Sequence, residues 1–378
     1  MLMRLRHWLR SRQRGKKEEM KYRFKDKAIT GMAVIVPEQE RLFVDDMKLF
    51  NAPENRSRKL AMVMGYNAHR VVEAGVCASD LAEFGFKRLF SEGKLKPEGI
   101  DALVYVTLSP DHFMPPTSCI LHGKLGLRRD CFCMDIAQGC CGFVVGLIQA
   151  FQLLEQVGVE KVAVVNADAL SRKVSKKDRN SYPLIGDAAT IAIVENRPGA
   201  GDVFADVRFD GTRAMALRVP AGGFRQPSTP ETAVMSADAE GNERAPDNLV
   251  MDGTAVFNFV MADVPPMLAD LVKEAGTDFA GIDKYYFHQP NRFMLQKLAE
   301  KLDVPYDKMP NNVVEHYGNS SGATIPSAMA LNDAEALCRE TKRVCFSGFG
   351  VGLTCGGIVM NCGNFDFCET INYPNKGE

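Results

Sequence analysis

The strongest constraint on the fold is a series of short apolar runs, each followed by a stretch with helical spacing. Residues 102–108 and 162–167 are rich in apolar and β-branched side chains and carry no charge. Runs that are apolar on both faces are typical of strands in a parallel sheet covered by helices on both sides. Amphipathic stretches at 78–89 and 143–156 predict such helices. The alternation, which begins near Ala28, therefore predicts an α/β protein.

The second half of the chain repeats this plan, so we expect two similar α/β halves, residues 20–200 and 201–378. Open α/β sheets form their sites just beyond strand ends, where each half places its polar candidate residues. The stretch 214–248 is rich in Pro, Gly, Ser and acidic residues, which favours a lid or binding loop at the mouth of a pocket. The other predicted elements are strands at 29–36, 131–137, 190–194, 284–288, 344–348 and 357–361, and helices at 255–274 and 292–302.

Composition argues against several classes of function. The formal net charge of −1 gives no support for nucleic-acid binding. The chain has 11 cysteines and no recognisable secretory signal, so we expect reduced thiols in a cytoplasmic protein. Neither Cys131/Cys133 nor Cys140/Cys141 has the spacing of a zinc site, and we expect no metal. We also expect no stable membrane insertion, because no apolar run reaches the required length.

Residues 1–19 form a basic segment with two open interpretations. Its apolar residues have roughly helical spacing, which is compatible with a short helix on a membrane surface. The simpler interpretation is a disordered basic tail, or an extension before an initiator at Met20. In both cases we expect the segment to lie outside the fold.

The segment MDIAQGCCGFVVGLIQAF places Cys140 in a tight turn between a predicted strand and a predicted helix. A helix N-terminus carries unpaired N–H groups and a partial positive charge. Both lower a thiol pKa, and the N–H groups can receive the oxyanion of an attacked thioester. This pattern predicts that Cys140 is a nucleophile that carries acyl groups; the alternative is a cysteine that is simply packed in the core.

Three further motifs contain candidate functional residues. His288 ends an apolar strand in YYFHQPNRFM, and Asn319 lies in a Gly/Ser turn in HYGNSSGATIPSAM. The segment SGFGVGLTCGG is a glycine-rich turn that permits a close backbone approach to a ligand. Each also has a plain structural explanation: a hydrogen-bonded core histidine, a turn or N-cap asparagine, and a simple hairpin.

Together and in this order, the motifs resemble those of the β-ketoacyl-[acyl carrier protein] synthase III family of thiolase-fold condensing enzymes. The resemblance covers about residues 28–360 and implies two α/β halves packed as a five-layered αβαβα sandwich. It implies that Cys140, in D-x-A-x-x-C-x-G-F, is acylated. It also implies catalytic roles for His288 in H-Q-x-N and Asn319 in G-N-S/T-S, and oxyanion donors at the backbone amides of Cys140 and Val351.

The resemblance further implies where the substrates bind. Arg179 is expected to contact CoA, although the aromatic residue that usually stacks on the adenine would fall near Lys59. Met114 is expected to gate the acyl pocket across a homodimer interface, and its flexibility suits a longer or branched chain. The remaining implied residues are Gly253 and Phe349 for substrate binding, and Arg292, Lys297 and Lys301 as a basic patch for an acidic acyl carrier protein.

The implied reaction is a decarboxylative condensation that needs no cofactor. An acyl-CoA and malonyl-acyl carrier protein would give 3-oxoacyl-acyl carrier protein, CO2 and CoA.

One alternative is an acyltransferase that passes the Cys140 acyl group to another acceptor without condensation. Asn319 argues against it, because a neutral amide can stabilise an enolate. The other is a silent subunit of a heteromeric synthase, which the intact motifs disfavour. The departures at Lys59 and Met114 favour a specialised synthase over one that primes general fatty-acid synthesis.

Overall fold

The computed structural model describes residues 21–375, so the predicted basic segment 1–19 lies outside the described residues. The strands are β1 (Tyr22–Lys25), β2 (Lys27–Pro37), β3 (Glu40–Leu42), β4 (Ala68–Arg70), β5 (Ala102–Val106), β6 (Phe132–Ile136), β7 (Lys161–Asp168), β8 (Ala188–Asn196), β9 (Asp202–Phe209), β10 (Leu217–Arg218), β11 (Ser236–Ala237), β12 (Glu243–Arg244), β13 (Val250–Met251), β14 (Lys284–Phe287), β15 (Thr341–Gly350), β16 (Thr354–Gly363) and β17 (Phe367–Tyr373). The α-helices are α1 (Phe43–Asp46), α2 (Glu54–Met64), α3 (Ala78–Ser91), α4 (Thr117–Leu125), α5 (Gly142–Leu153), α6 (Gly253–Glu274), α7 (Arg292–Leu302), α8 (Val313–His316) and α9 (Thr324–Arg339).

Two large sheets organise the described residues. The first has six strands in the order β17-β2-β8-β7-β5-β6, and the second has five in the order β1-β9-β16-β15-β14. In the first sheet, β5 pairs in parallel with both β6 and β7. Every residue of β5 is buried, which explains its uninterrupted apolar sequence.

Helices cover both faces of each sheet. Helices α5 and α9 lie between the two sheets and contact both of them. Helices α3 and α4 cover the outer face of the first sheet, while α6 and α7 cover the outer face of the second. In the central layer, the rings of Phe143 on α5 and Phe346 on β15 meet edge to face at 5.6 Å. The predicted αβαβα sandwich is confirmed.

The first and the last strand of the described chain each lie in a different sheet from the strand next to them in sequence. Strand β1 pairs with β9 in the second sheet, whereas β17 pairs with β2 in the first. The sequence pattern predicts none of β1, β9 and β17. Strands β1 and β17 lie at sheet edges, where polar side chains are tolerated and the apolar signal is weak. The division of the chain at residue 200 stays a prediction.

The predicted long loop at 214–248 contains little regular structure. Its short strands form two small sheets, β10 with β13 and β11 with β12. The apolar helix α6 follows; it is long and apolar enough to cross a membrane by length and composition alone. In the fold, however, Val260, Leu268 and Leu271 are buried against the second sheet, as in the core helix of a globular protein.

Candidate active site

The predicted nucleophile lies where the ends of the two sheets meet. Cys140 follows β6 of the first sheet, and Val351 lies in the turn between β15 and β16 of the second. Asn319 precedes α9, so both central helices begin next to this place. Cys140, Asn319, Val351 and Ser321 line a single cavity of about 760 Å³.

Two backbone amides face the Cys140 sulfur: that of Val351 and that of Cys140 itself. The approach is possible because residue 350 is glycine with a φ of 152°. A β-carbon on Gly350 would lie 2.6 Å from the sulfur, well inside van der Waals contact. The two amides are therefore placed to donate to the carbonyl oxygen of an acyl group held on this sulfur.

The structure contradicts the predicted lowering of the Cys140 pKa. Burial raises the pKa of the Cys140 thiol to about 11, while the Val351 amide opposes this and the charge of Asp168 adds to it. The thiol loses more from the removal of water than it gains from the start of α5 and the nearby amides. Cys140 is therefore a thiol and not a thiolate at neutral pH.

Asp168 lies at the end of β7 and is a neighbour of Cys140. The sequence pattern does not predict this residue. Its Oδ1 accepts hydrogen bonds from the Leu108 amide at 2.7 Å and the Thr107 hydroxyl at 3.1 Å. Burial raises the pKa of Asp168 to about 6, which leaves it ionised at neutral pH. The Ser321 hydroxyl lies next to both Asp168 and Cys140. A carboxylate at the carboxyl end of a buried strand is the signal that could have identified it.

His288 follows β14 directly and is 1% exposed. Its Nδ1 lies 2.7 Å from the Thr324 hydroxyl, which in turn lies 2.9 Å from the Ser321 carbonyl oxygen. Burial lowers the pKa of His288 to about 3, so the ring is neutral. A neutral imidazole donates from one nitrogen only, and the Thr324 hydroxyl has a single proton, so Nε2 is the donor when that proton turns from the Ser321 carbonyl oxygen to Nδ1. Thr324 is thus a second residue that the sequence pattern misses.

The turn that contains Asn319 is held by the segment before β8. The Asn319 amide donates to the Leu184 carbonyl at 2.7 Å, and its carbonyl accepts from the Gly186 amide at 3.2 Å. Its side-chain Oδ1 accepts from the Ser321 amide at 2.9 Å. The acceptor half of the side-chain amide is therefore engaged, which leaves Nδ2 as a donor in a residue that lines the cavity.

Apolar side chains form most of the cavity wall and suit an acyl chain. The predicted loop contributes its residues 217–223, which confirms that it borders the pocket. Phe224 of this loop contacts Phe113, and their ring centroids are 5.2 Å apart. Other apolar residues of the wall are Leu170, Leu184, Ile185, Leu249 and Met251.

Several predicted substrate residues lie outside the cavity wall. Met114 is 78% exposed, next to Phe113 at the mouth. Gly253 begins α6 and does not line the cavity. Phe349 is buried and packs edge to face on the His288 ring at 5.7 Å, so it contacts the predicted catalytic histidine and does not line the cavity. Arg179 is also buried and forms an ion pair with Glu240.

The predicted basic patch lies on α7, and each of its cations has a local partner. These contacts leave the side chains on the surface, where ion pairs exchange readily with those of a bound partner. The pairs are Arg292 with Glu315, Lys297 with Glu300, and Lys301 with the Met261 carbonyl oxygen.

Comparison with known proteins agrees with this geometry. The family description 3-oxoacyl-[acyl-carrier-protein] synthase III matches residues 134–211, and that of its C-terminal region matches 272–362. A putative 3-oxoacyl-[acyl-carrier-protein] synthase 3 of Campylobacter jejuni is 30% identical over 343 residues, which cover 90% of this chain and 96% of the relative. The chain belongs to the β-ketoacyl-[acyl carrier protein] synthase III family. It is therefore an acyltransferase of the condensing type.

Further members of the synthase III family resemble the chain to a similar degree. The synthase III of Lactococcus lactis strain IL1403 is 32% identical over 297 residues, 78% of this chain and 87% of the relative. The crystal structure of a 3-oxoacyl-(acyl-carrier protein) synthase from Burkholderia xenovorans LB400 superposes with a TM-score of 0.87. That structure is 30% identical, and the match covers 94% of this chain and 99% of the other.

Replacing Gly350 tests whether this synthase III needs the close approach to its sulfur. In Gly350→Ala, the new β-carbon would collide with Cys140 and push the Val351 amide away. A displacement of this kind costs about 10²-fold in rate. We expect Cys140 acylation, followed by intact-protein mass spectrometry, to slow by about that factor. Gly93→Ala is the control, because Gly93 also has a positive φ of 70° but nothing within 4 Å of the added carbon. Wild-type acylation by Gly350→Ala would contradict the role of this turn.

Replacing Asp168 tests whether its negative charge raises the pKa of the Cys140 thiol. Iodoacetamide reacts with the thiolate, so labelling of Cys140 should increase with pH up to its pKa of about 11. Asp168→Asn removes a negative charge, which favours the thiolate, lowers the pKa and moves the labelling midpoint to lower pH. A midpoint lower by about one pH unit corresponds to labelling about tenfold faster at neutral pH.

The labelled Cys140 peptide is quantified by mass spectrometry, since the chain has 11 cysteines. The exposed carboxylate of Asp130 provides a surface control, Asp130→Asn, which should leave the midpoint in place. An unchanged or higher midpoint in Asp168→Asn would show that this carboxylate does not act on the sulfur.

Proposed function

We propose that this synthase III joins an acyl group held on Cys140 to the malonyl group of malonyl-acyl carrier protein. The products are 3-oxoacyl-acyl carrier protein and CO2, together with the thiol that delivered the acyl group, for which the sequence predicts CoA. The observation that carries the proposal is the convergence of a thiol, two backbone amides and the side-chain amide of Asn319 around one cavity, with the neutral ring of His288 next to Ser321 of its wall. Neither a metal nor a cofactor enters the proposed reaction.

In the first step, the Cys140 sulfur attacks the carbonyl carbon of the donor thioester. The amides of Cys140 and Val351 stabilise the oxyanion of the tetrahedral intermediate. The donor C–S bond then breaks, and the proton of the Cys140 thiol passes to the departing thiolate. The raised pKa of Cys140 fits this order, because the proton leaves the thiol only as the substrate arrives.

In the second step, the malonyl carboxylate leaves as CO2, and its electron pair forms an enolate on the thioester. His288 Nε2 and Asn319 Nδ2 would donate to the enolate oxygen, and both are neutral, so neither loses a charge in doing so. The enolate carbon attacks the acyl group on Cys140. The C–S bond to Cys140 breaks, and the sulfur takes a proton from solvent, which restores the thiol.

An acyltransferase without condensation is the second candidate function. Such an enzyme needs a nucleophile and an oxyanion hole, which Cys140 and Val351 would also supply. It has no use for an enolate donor, and the hydrogen bond from the Ser321 amide to Asn319 Oδ1 orients a group of that kind. Condensation is therefore the better explanation of the whole site.

The environment and partners of the enzyme follow from the same proposal. All cysteines are free, which suits the reducing cytoplasm that the sequence predicts. Malonyl groups would arrive on an acyl carrier protein that binds the basic surface of α7. We also propose a homodimer, because β6 forms the end of the six-stranded sheet and has no second partner strand among residues 21–375. On this strand, Phe132 is 50% exposed.

The Asn319→Asp variant separates the two candidate functions. A carboxylate at this position would repel the developing enolate, so we expect CO2 release and 3-oxoacyl product to fall by about 10²- to 10³-fold. Acylation of Cys140 should persist, as shown by intact mass. Cys140→Ser is the companion variant and should lose acylation. Condensation at the wild-type rate in Cys140→Ser would refute the nucleophile, and wild-type condensation in Asn319→Asp would refute the enolate donor.

The Phe132→Glu variant tests the homodimer. A charge on the edge strand opposes pairing with a second copy, so we expect sedimentation analysis to show a shift from dimer to monomer. Val157→Glu is the control, since Val157 is fully exposed but not on this strand. A wild-type chain that sediments as a monomer at micromolar concentration would exclude the dimer.

A further inference from the structure

The hairpin formed by β11 and β12, residues 236–244, lies on the arginine that the sequence predicts as a CoA ligand. Arg179 Nη1 donates to the Glu240 carbonyl oxygen at 2.7 Å, and Nη2 donates to the Glu240 carboxylate at 3.1 Å. The Arg179 side chain is only 9% exposed. The planar guanidinium of Arg179 thus donates to the backbone carbonyl and the carboxylate of Glu240. These two groups take the donors that a nucleotide phosphate would need.

The tip of the hairpin lies close to the start of the helix that carries Lys59, the other predicted nucleotide contact. Gly241 has a φ of 84°, and a β-carbon added there would lie 3.5 Å from the Asn51 side-chain nitrogen. Asn51 lies just before α2, the helix that carries Lys59, where an aromatic partner for adenine is expected and absent. The hairpin therefore extends from Arg179 to the segment just before α2.

The hairpin is anchored by buried polar contacts. Asn242 is 1% exposed, and its side-chain oxygen accepts from the Arg179 amide at 3.3 Å. Arg244 donates to Asp178 at 2.8 Å and also contacts Asp238. Asp178 is itself 2% exposed, so removal of the hairpin would leave a buried carboxylate without its cation. The hairpin is thus held to the rest of the fold by its own buried contacts.

We infer that the acyl donor of this enzyme is a carrier-protein thioester and not acyl-CoA, an inference that rests on the proposed function. A carrier protein presents its acyl group on a phosphopantetheine arm, which needs a channel to Cys140 but no nucleotide groove. The chemistry of loading is unchanged: the Cys140 thiol becomes a thioester, and the carrier thiol leaves with the proton.

The surface of α2 has the charge that such a donor requires. Arg56 and Lys59 are exposed on this helix, and neither makes an ion pair within the described residues. Met62 is 75% exposed on the same helix and adds an apolar contact. Helix α2 packs against α7, which carries the predicted basic patch, so the two helices form one basic surface suited to an acidic carrier protein.

The test compares three donors of one octanoyl group: octanoyl-acyl carrier protein, octanoyl-CoA and octanoyl-pantetheine, which lacks the nucleotide. Loading of Cys140 is followed by intact mass, and kcat/KM is measured for each donor. A bound nucleotide would use its remote binding energy to raise kcat/KM for CoA by about tenfold or more over pantetheine. We expect CoA and pantetheine to agree within about threefold and the carrier protein to exceed both by at least about tenfold.

The Glu240→Ala variant removes the carboxylate that engages Arg179. We expect it to raise the CoA-to-pantetheine ratio severalfold, because the guanidinium gains a free face for phosphate. Glu243→Ala is the matched control on the same hairpin; Glu243 pairs with Lys177 at the surface. A wild-type ratio of about ten or more in favour of CoA, unaffected by Glu240→Ala, would overturn the inference while leaving the condensation intact. If no donor acylates Cys140, the proposed function itself fails.

Discussion

The site depends on the approach of the Gly350–Val351 backbone to the Cys140 sulfur. This contact joins the end of β15, in the second sheet, to the turn after β6, in the first. It fixes the spacing of the two sheets at one end, because a β-carbon at residue 350 would leave no room for the thiol. The central helices α5 and α9 fill the space behind it and contact both sheets. Rigid packing of this layer is what holds two amides on one sulfur without a disulfide between the sheets.

Burial shifts the pKa of Cys140, Asp168 and His288. It raises the pKa of Cys140, raises that of Asp168 and lowers that of His288, so the resting site holds a thiol, a carboxylate and a neutral imidazole. A low-dielectric site strengthens the hydrogen bonds that would be made to an oxyanion or an enolate. The same desolvation keeps the Cys140 thiol protonated.

The hairpin at 236–244 contacts the predicted CoA ligand Arg179 directly. The sequence predicts a long loop there but gives no sign that Glu240 meets Arg179, because the two residues are 61 positions apart. The loop borders the cavity through residues such as Leu217 and Gly222, and its hairpin accepts the hydrogen bonds of Arg179. One loop therefore contacts both the cavity and the predicted CoA ligand.

The sequence by itself determined the α/β class, the main helices and central strands, and the four motifs, because periodicity and glycine-rich turns are local properties of a chain. It also placed Arg292–Leu302 as a helix with the observed bounds. Only the tertiary structure decided which distant segments meet: β1 with β9, β17 with β2, Asp168 with Cys140, and Thr324 with His288. It also decided that the pKa of the Cys140 thiol is raised. These depend on burial and on contacts between distant segments. A helix N-terminus can be recognised from sequence. The desolvation of Cys140 on folding, which raises its pKa, cannot.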